Sequence, residues 1–288
     1  MSMLGRLLAC LSLAVFAAGA SAQERDLVFA VTEGVTYQAT PKEIRDKFAP
    51  VADVIAKATG RHVRLVLVPA YDDLRVGLAK QEFDLAFVHP AHVSLAEIKT
   101  GRYKAVAWTT GFTEYTVALL IEANQPLKSI DELKGRTLVT PDPDSITAAM
   151  VRAMLRGAKL PMVTAPTTAA TKAPDPATVR VIATRYQDAV PFYVENGFAQ
   201  VGATAAKSVI KAWTDKGGKV LAQSRPVPIK QFIVSSKLSA DEQAKIRDAL
   251  IGMQHTKPGH DALDVVGYKG FVAPEPSVES ASIAWLGL

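Results

Sequence analysis

Five short segments of this 288-residue chain place hydroxyls, histidines or amide side chains where a strand is expected to give way to a helix: 32–37, 70–72, 88–92, 141–147 and 185–188. In the first, Thr36 and Tyr37 offer hydroxyls beside backbone N–H groups. In the fourth, Ser145 and Thr147 stand at the start of an expected helix, whose unpaired amides and partial positive charge attract oxyanions. The same position also suits Ser145 or Asp144 as a plain helix cap. His89 and His92 have the spacing of one face of a helical turn, which would serve a metal or a general base. A third ligand at matching spacing is missing, so metal is the minor reading. The chain has no GxSxG elbow, P-loop, HExxH pair or glycine-rich dinucleotide turn, which weighs against an enzyme, and no cofactor is expected.

Those segments need alternating strands and helices behind them. Residues 27–31 form a compact apolar strand, and 41–59 a helix with Pro41 in its first turn and Gly60 at its stop. Ile44, Phe48, Val51, Val54 and Ile55 make one buried stripe along it. Strands at 63–68, 84–88 and 103–109, with helices at 72–80 and 91–99, complete a series that implies a mainly parallel sheet. Gly111 interrupts it. A second series follows, with strands at 116–121, 137–140, 179–183 and 199–203, and helices near 129–134, 145–155, 187–196 and 205–216. The proline-rich stretch 160–176 reads as a surface loop. A strand at 231–234 and a helix at 241–253 come last. The expected architecture is two α/β lobes joined by a two-crossing hinge: 23–110 with 225–288 in one lobe, 111–224 in the other. A ligand would then sit in the interlobe cleft, at the carboxyl ends of strands.

The N-terminus reads as an export signal over residues 1–22: Arg6, an uncharged apolar run from Leu7 to Ala18, then Ala20-Ser21-Ala22 as a cleavage site before Gln23. The run is short of the ~20 apolar residues a spanning helix needs. Cys10 precedes most of that run, so lipoprotein processing is rejected. It is the sole cysteine, which leaves no disulfide or thiol chemistry for the exported chain. Loss of Arg6 moves the formal net charge from +5 to +4. The basic residues are scattered, without a stripe and interleaved aromatics, so nucleic acid is not an expected partner. Small anionic ligands suit the charge better.

The strand-end loops resemble those of the phosphonate/phosphate/phosphite-type substrate-binding proteins of bacterial ABC transporters. The likeness runs through Tyr71-Asp72, Gly77-Leu78, residues 83–88 with Pro90, Gly111 with Tyr115, residues 130–136, residues 142–145, residues 248–250 and Gly270-Phe271-Val272. It implies the type II periplasmic binding protein fold and hinge closure around a small oxyanion. It also implies that Tyr71 and Tyr115 contact the ligand and that a Ser-Thr-Ser run, here Ser145-Ile146-Thr147, grips the oxyanion. Gln187 matches the family's histidine, and His89 takes a place usually held by glycine. Two acidic positions that hold a ligand amine in aminoalkylphosphonate binders fall on Lys207 and Lys230. Ammonium groups there would repel an amine and attract a second acid. Alternatively, both lysines point to solvent, as most lysines do.

The leading expectation is therefore a periplasmic, monomeric solute-binding protein that delivers a small anion to an ABC permease. A second is the same fold presenting its ligand to a membrane kinase or other sensor. An exported enzyme with His89 as general base ranks below both.

Overall fold

The computed structural model describes residues 25–34 and 39–288. The expected signal at 1–22, with Cys10, and the hydroxyls of Thr36 and Tyr37 lie outside these residues. The first series is β1 (Leu27–Thr32), α1 (Pro41–Thr59), β2 (Val63–Leu67), α2 (Tyr71–Ala79), β3 (Leu85–Val88), α3 (Ala91–Lys99) and β4 (Tyr103–Thr109). The second is β5 (Ala118–Ile121), β6 (Thr137–Thr140), α4 (Ile146–Gly157), β7 (Met162–Thr164), β8 (Val179–Ala183), α5 (Val190–Glu195), β9 (Val201–Thr204), α6 (Lys207–Asp215) and β10 (Lys219–Gln223). The chain ends with β11 (Gln231–Ser235), α7 (Ala240–Gly252), α8 (Lys257–Val266), β12 (Phe271–Val272) and α9 (Pro276–Leu286).

Local chemistry accounts for the helix that matters most to the site. Thr40 accepts from the Glu43 amide at 3.2 Å, and the Glu43 carboxylate accepts from the Thr40 amide at 2.7 Å. This capping box satisfies two otherwise orphaned donors, and Pro41 needs none. Phe48, Val51, Ala52 and Ile55 then form the buried face.

The strands make two six-stranded sheets, in the orders β12-β4-β11-β3-β1-β2 and β10-β5-β9-β6-β8-β7. The expected parallel series is altered in both sheets: β12 runs antiparallel to β4, and β5 runs antiparallel to β9 and β10. β11 enters between β3 and β4 and runs antiparallel to both. A fully buried strand from the far end of the chain has no local signature that reveals its neighbours. The expected loop at 160–176 holds the short edge strand β7 and a 3-10 turn at Thr167–Thr171.

Under the first sheet, α1 packs on α7 and α8 over an aromatic core. The Phe87 ring lies 4.8 Å from Phe48, 5.0 Å from Phe232 and 5.7 Å from Tyr268, centroid to centroid. Two antiparallel segments join the sheets. Tyr115 and Val227 exchange backbone bonds of 3.1 and 3.0 Å, Ile229 donates to the Phe112 carbonyl at 3.0 Å, and Val117 donates to the Ser224 hydroxyl at 2.9 Å. Gly111 supplies the left-handed turn (φ 84°) that swings the chain from β4 into the first of them. On the same side, α9 packs against both α3 and α4, and Leu286 shares a core with Leu95 and Leu155.

Replacing the fully buried Phe87 with alanine opens a cavity that neighbouring rigid rings cannot fill. Phe87→Ala is expected to cost about 3–5 kcal/mol, read as a lower urea midpoint at unchanged slope.

Candidate ligand-binding site

The carboxyl end of β1 leads directly into a buried charge cluster. The Glu33 carboxylate accepts from Lys47 on α1 at 2.7 Å and from the Tyr268 hydroxyl at 3.0 Å. Its other oxygen lies 3.6 Å from the ammonium of Lys230, just ahead of β11. Lys230 in turn donates to the Tyr268 hydroxyl at 3.1 Å and stands 4.4 Å over the Phe112 ring. The side chains of Glu33 and Lys230 are only 1% and 8% exposed. Burial pushes the Glu33 carboxyl up, but Lys230 and Lys47 together outweigh it and hold it below its ordinary value. Burial pushes the Lys230 ammonium down, only partly opposed by Glu33. Among the described residues the cluster sets two ammonium groups against one carboxylate, a balance of positive charge.

Gly34 follows. Its amide donates to His89 Nδ1 at 3.2 Å, which leaves the ring proton on Nε2. A Cβ at Gly34 would come within 3.0 Å of the His89 ring and 3.4 Å of the Tyr71 hydroxyl. Glycine is what lets backbone, imidazole and phenol meet there. His89 is joined to Pro90 by a cis peptide. Burial first, then Lys230, pushes His89 down to about 3, so this imidazole is neutral. His92, in the first turn of α3, is buried with no partner for Nδ1. Burial, then Arg152, Arg75 and His89, pushes it down to about 3 as well.

The second sheet contributes a network of neutral donors. The Tyr115 hydroxyl lies 3.1 Å from that of Thr147 and receives the Gln187 amide at 3.3 Å. Gln187 is fixed from behind, because its carbonyl accepts from the Ala205 amide at 2.7 Å and from Thr204 at 3.1 Å. Burial raises the Tyr115 phenol, which keeps its proton. Ser145 accepts from the Ala148 amide at 3.1 Å, the geometry of a helix cap. Arg75 on α2 reaches Asp144 beside this helix at 3.4 Å, an ion pair running from one sheet's helices to the other's.

The structure thus gathers Tyr115, Thr147 and Gln187 into one network, sets Tyr71 against Gly34 and His89, and buries Lys230 with Glu33. Lys207 stands apart, exposed at the first residue of α6 without an ion-pair partner among the described residues. Around His89 and His92 no cluster of three metal-ligating side chains occurs among the described residues. Glu33, Lys47 and Tyr268 are the residues that site prediction from sequence passes over. Lys47 carried a signal, since it falls between Ile44 and Phe48 on the buried face of α1, where a charge needs a partner.

The family model described as the periplasmic substrate-binding protein of a phosphonate ABC transporter matches residues 34–278. Three solved structures share the fold. XAC2383 from Xanthomonas citri, bound to ATP, superposes with a TM-score of 0.75 at 14% identity, covering 91% of this chain and 96% of that one. PhnD1 from Prochlorococcus marinus, in complex with methylphosphonate, gives 0.60 at 13% identity, with 91% and 96% covered. The phosphonate transporter binding component PA3383 from Pseudomonas aeruginosa gives 0.55 at 14%, with 92% and 86% covered. The two-sheet architecture is the type II periplasmic binding protein fold.

His92 makes stability depend on pH. Unfolded, it titrates near 6.5; folded, near 3. Between those values the unfolded chain holds the extra proton, so stability is complete above the upper one and falls as pH drops. Each proton so withheld is worth about 1.4 kcal/mol per pH unit. The variant His92→Gln is expected to flatten the wild-type slope of unfolding free energy by about that amount between pH ~5.5 and ~4. Urea titrations across this range measure it.

Proposed function

The chain belongs to the periplasmic substrate-binding proteins of phosphonate ABC transporters, and we propose that it captures a small oxyanion between its two sheets for delivery to a membrane permease. In this reading residues 23–110 with 225–288 form one lobe and 111–224 the other, and a monomer closes on its ligand by hinging at the paired crossings. The leader at 1–22 would be removed after Ala22 on export.

The observation that carries the reading is the sign of the buried charge. Lys47 and Lys230 against Glu33 leave positive charge beneath the end of β1. The second sheet and the crossing segment before it supply donors without charge: Tyr115, Thr147, Gln187 and the first-turn amides of α4. That combination attracts an anion and supplies its oxygens with hydrogen bonds. The fold relatives solved with methylphosphonate and with ATP both hold phosphorus oxyanions, which supports the same ligand class here.

The ligand is an anion without an amine, of the phosphonate, phosphate or phosphite kind. One Glu33 oxygen accepts from Lys47 and Tyr268 and the other, without a hydrogen bond among the described residues, lies 3.6 Å from Lys230, so the carboxylate's charge is already answered by two ammonium groups. An amine would meet Lys230 instead.

In calorimetric titration, methylphosphonate, phosphate or phosphite is expected to bind, and aminoethylphosphonate to bind at least about 10-fold more weakly than the best of them. Tight binding of the aminophosphonate would overturn this assignment. Thr147→Val removes one hydroxyl from the donor network while keeping its shape. Affinity for the preferred oxyanion is expected to fall about 10-fold, roughly 1.4 kcal/mol, with little change in thermal midpoint.

A further inference from the structure

A cavity of about 640 Å³ opens beside the oxyanion site, along the outer strand of the first sheet. Its wall runs along β2 through Leu65, Leu67 and Val68, with Ile44 of α1 across from them. β2 is an edge strand whose Leu65, Val66 and Leu67 are only partly covered. Gly34 belongs to this wall and also to the corner formed with His89 and Tyr71, so the groove is continuous with the site.

The polar residues of the groove point to a particular ligand. Arg45 of α1 and Arg185, which follows β8 in the other sheet, both line it. Both are exposed, and neither forms an ion pair with a carboxylate among the described residues. Glu33 also contributes to the wall, but its buried carboxylate is paired with Lys47 and lies 3.6 Å from Lys230, so its negative charge is already answered. The groove is therefore apolar along its length and cationic at two points contributed by different sheets.

Volume decides between a bare oxyanion and something larger. Pockets of about 300–1,000 Å³ suit drug-sized molecules, and a phosphonate headgroup alone would fill a small part of this one. From Leu65 to Pro69 an extended chain advances about 13 Å, at ~3.3 Å per residue. We infer that the preferred ligand is an elongated diacid: an oxyanion head at the site, an apolar body along β2, and a second acidic group answering Arg45 and Arg185. This rests on the oxyanion reading of the site and specifies the rest of the molecule.

Three probes separate the parts by calorimetry on the exported chain: methylphosphonate (head alone), octylphosphonate (head and body) and phosphonooctanoate (head, body and terminal carboxylate). Octylphosphonate is expected to bind at least about 10-fold tighter than methylphosphonate, and phosphonooctanoate several-fold tighter again. The double variant Arg45→Ala/Arg185→Ala should abolish the second gain and leave methylphosphonate affinity unchanged. If methylphosphonate binds as tightly as octylphosphonate, the inference is overturned while the oxyanion site stands. Equal affinity for the two long probes, or a gain that survives the double variant, removes the second acid. Failure of all three phosphonates to bind would instead overturn the oxyanion reading itself.

Discussion

A carboxylate buried beneath the end of β1 ties together parts of the chain that are far apart in sequence. Glu33 is held by Lys47 from α1, Tyr268 from the turn after α8, and Lys230 from the lead into β11. Taking such charges out of water costs several kcal/mol per ion, and the cost is recovered only when good partners arrive together. Lys230 immediately precedes β11, so bringing it to Glu33 also brings β11 into the sheet between β3 and β4. The ion cluster and the insertion of β11 are thus two aspects of the same packing event. Tyr268 joins them to the core, because its hydroxyl belongs to the cluster while its ring stacks near Phe87.

The second coupling runs through Tyr115. Its backbone makes the antiparallel bridge to Val227 between the two crossing segments, and its hydroxyl belongs to the donor network with Thr147 and Gln187. A hinge motion at the crossings must carry the Tyr115 hydroxyl with it or break those bonds. If the proteins of this family close on their ligands by hinging, one residue here reports the hinge's state directly to the binding network. The apolar packing of α9 on both α3 and α4 is a further tie between the helices of the two sheets.

Much of the fold was legible because local rules determine it. The alternation of strands and helices, the cap at Thr40 and the stop at Gly60 follow from periodicity and terminal chemistry. What escaped was long-range or low in signal. The insertion of β11 depends on partners more than a hundred residues away. α8 and α9 carry Pro258 and Pro276 in their first turns and stop at Gly267 and Gly287, punctuation that was available, though the stripe of α9 is weaker than that of α1. At the site, Thr147 was singled out by its place at a helix start and Tyr115 and Gln187 by the family resemblance, and the three share one hydrogen-bonded network. Lys230 was singled out as a cation, but its burial against Glu33 was not foreseeable, since sequence shows a charge and not its partner.

That partner changes what the lysine does. An unpaired ammonium at the cleft would bind an anion directly and strongly. One shared with Glu33 and the Phe112 ring acts instead as part of a net positive background, while directional bonding falls to neutral donors on the other sheet. Charge acts over several ångströms in a low-dielectric setting, whereas hydroxyl and amide donors must be within ~3 Å and well aligned. An anion would then be drawn toward the first sheet at a distance and gripped only when the second sheet reaches it. Separating attraction from grip in this way makes affinity depend on closure, and closure on whether the ligand's oxygens match Tyr115, Thr147 and Gln187. On the proposed function, selectivity among anions would rest with the neutral side of the cleft, and rejection of cations with the charged side.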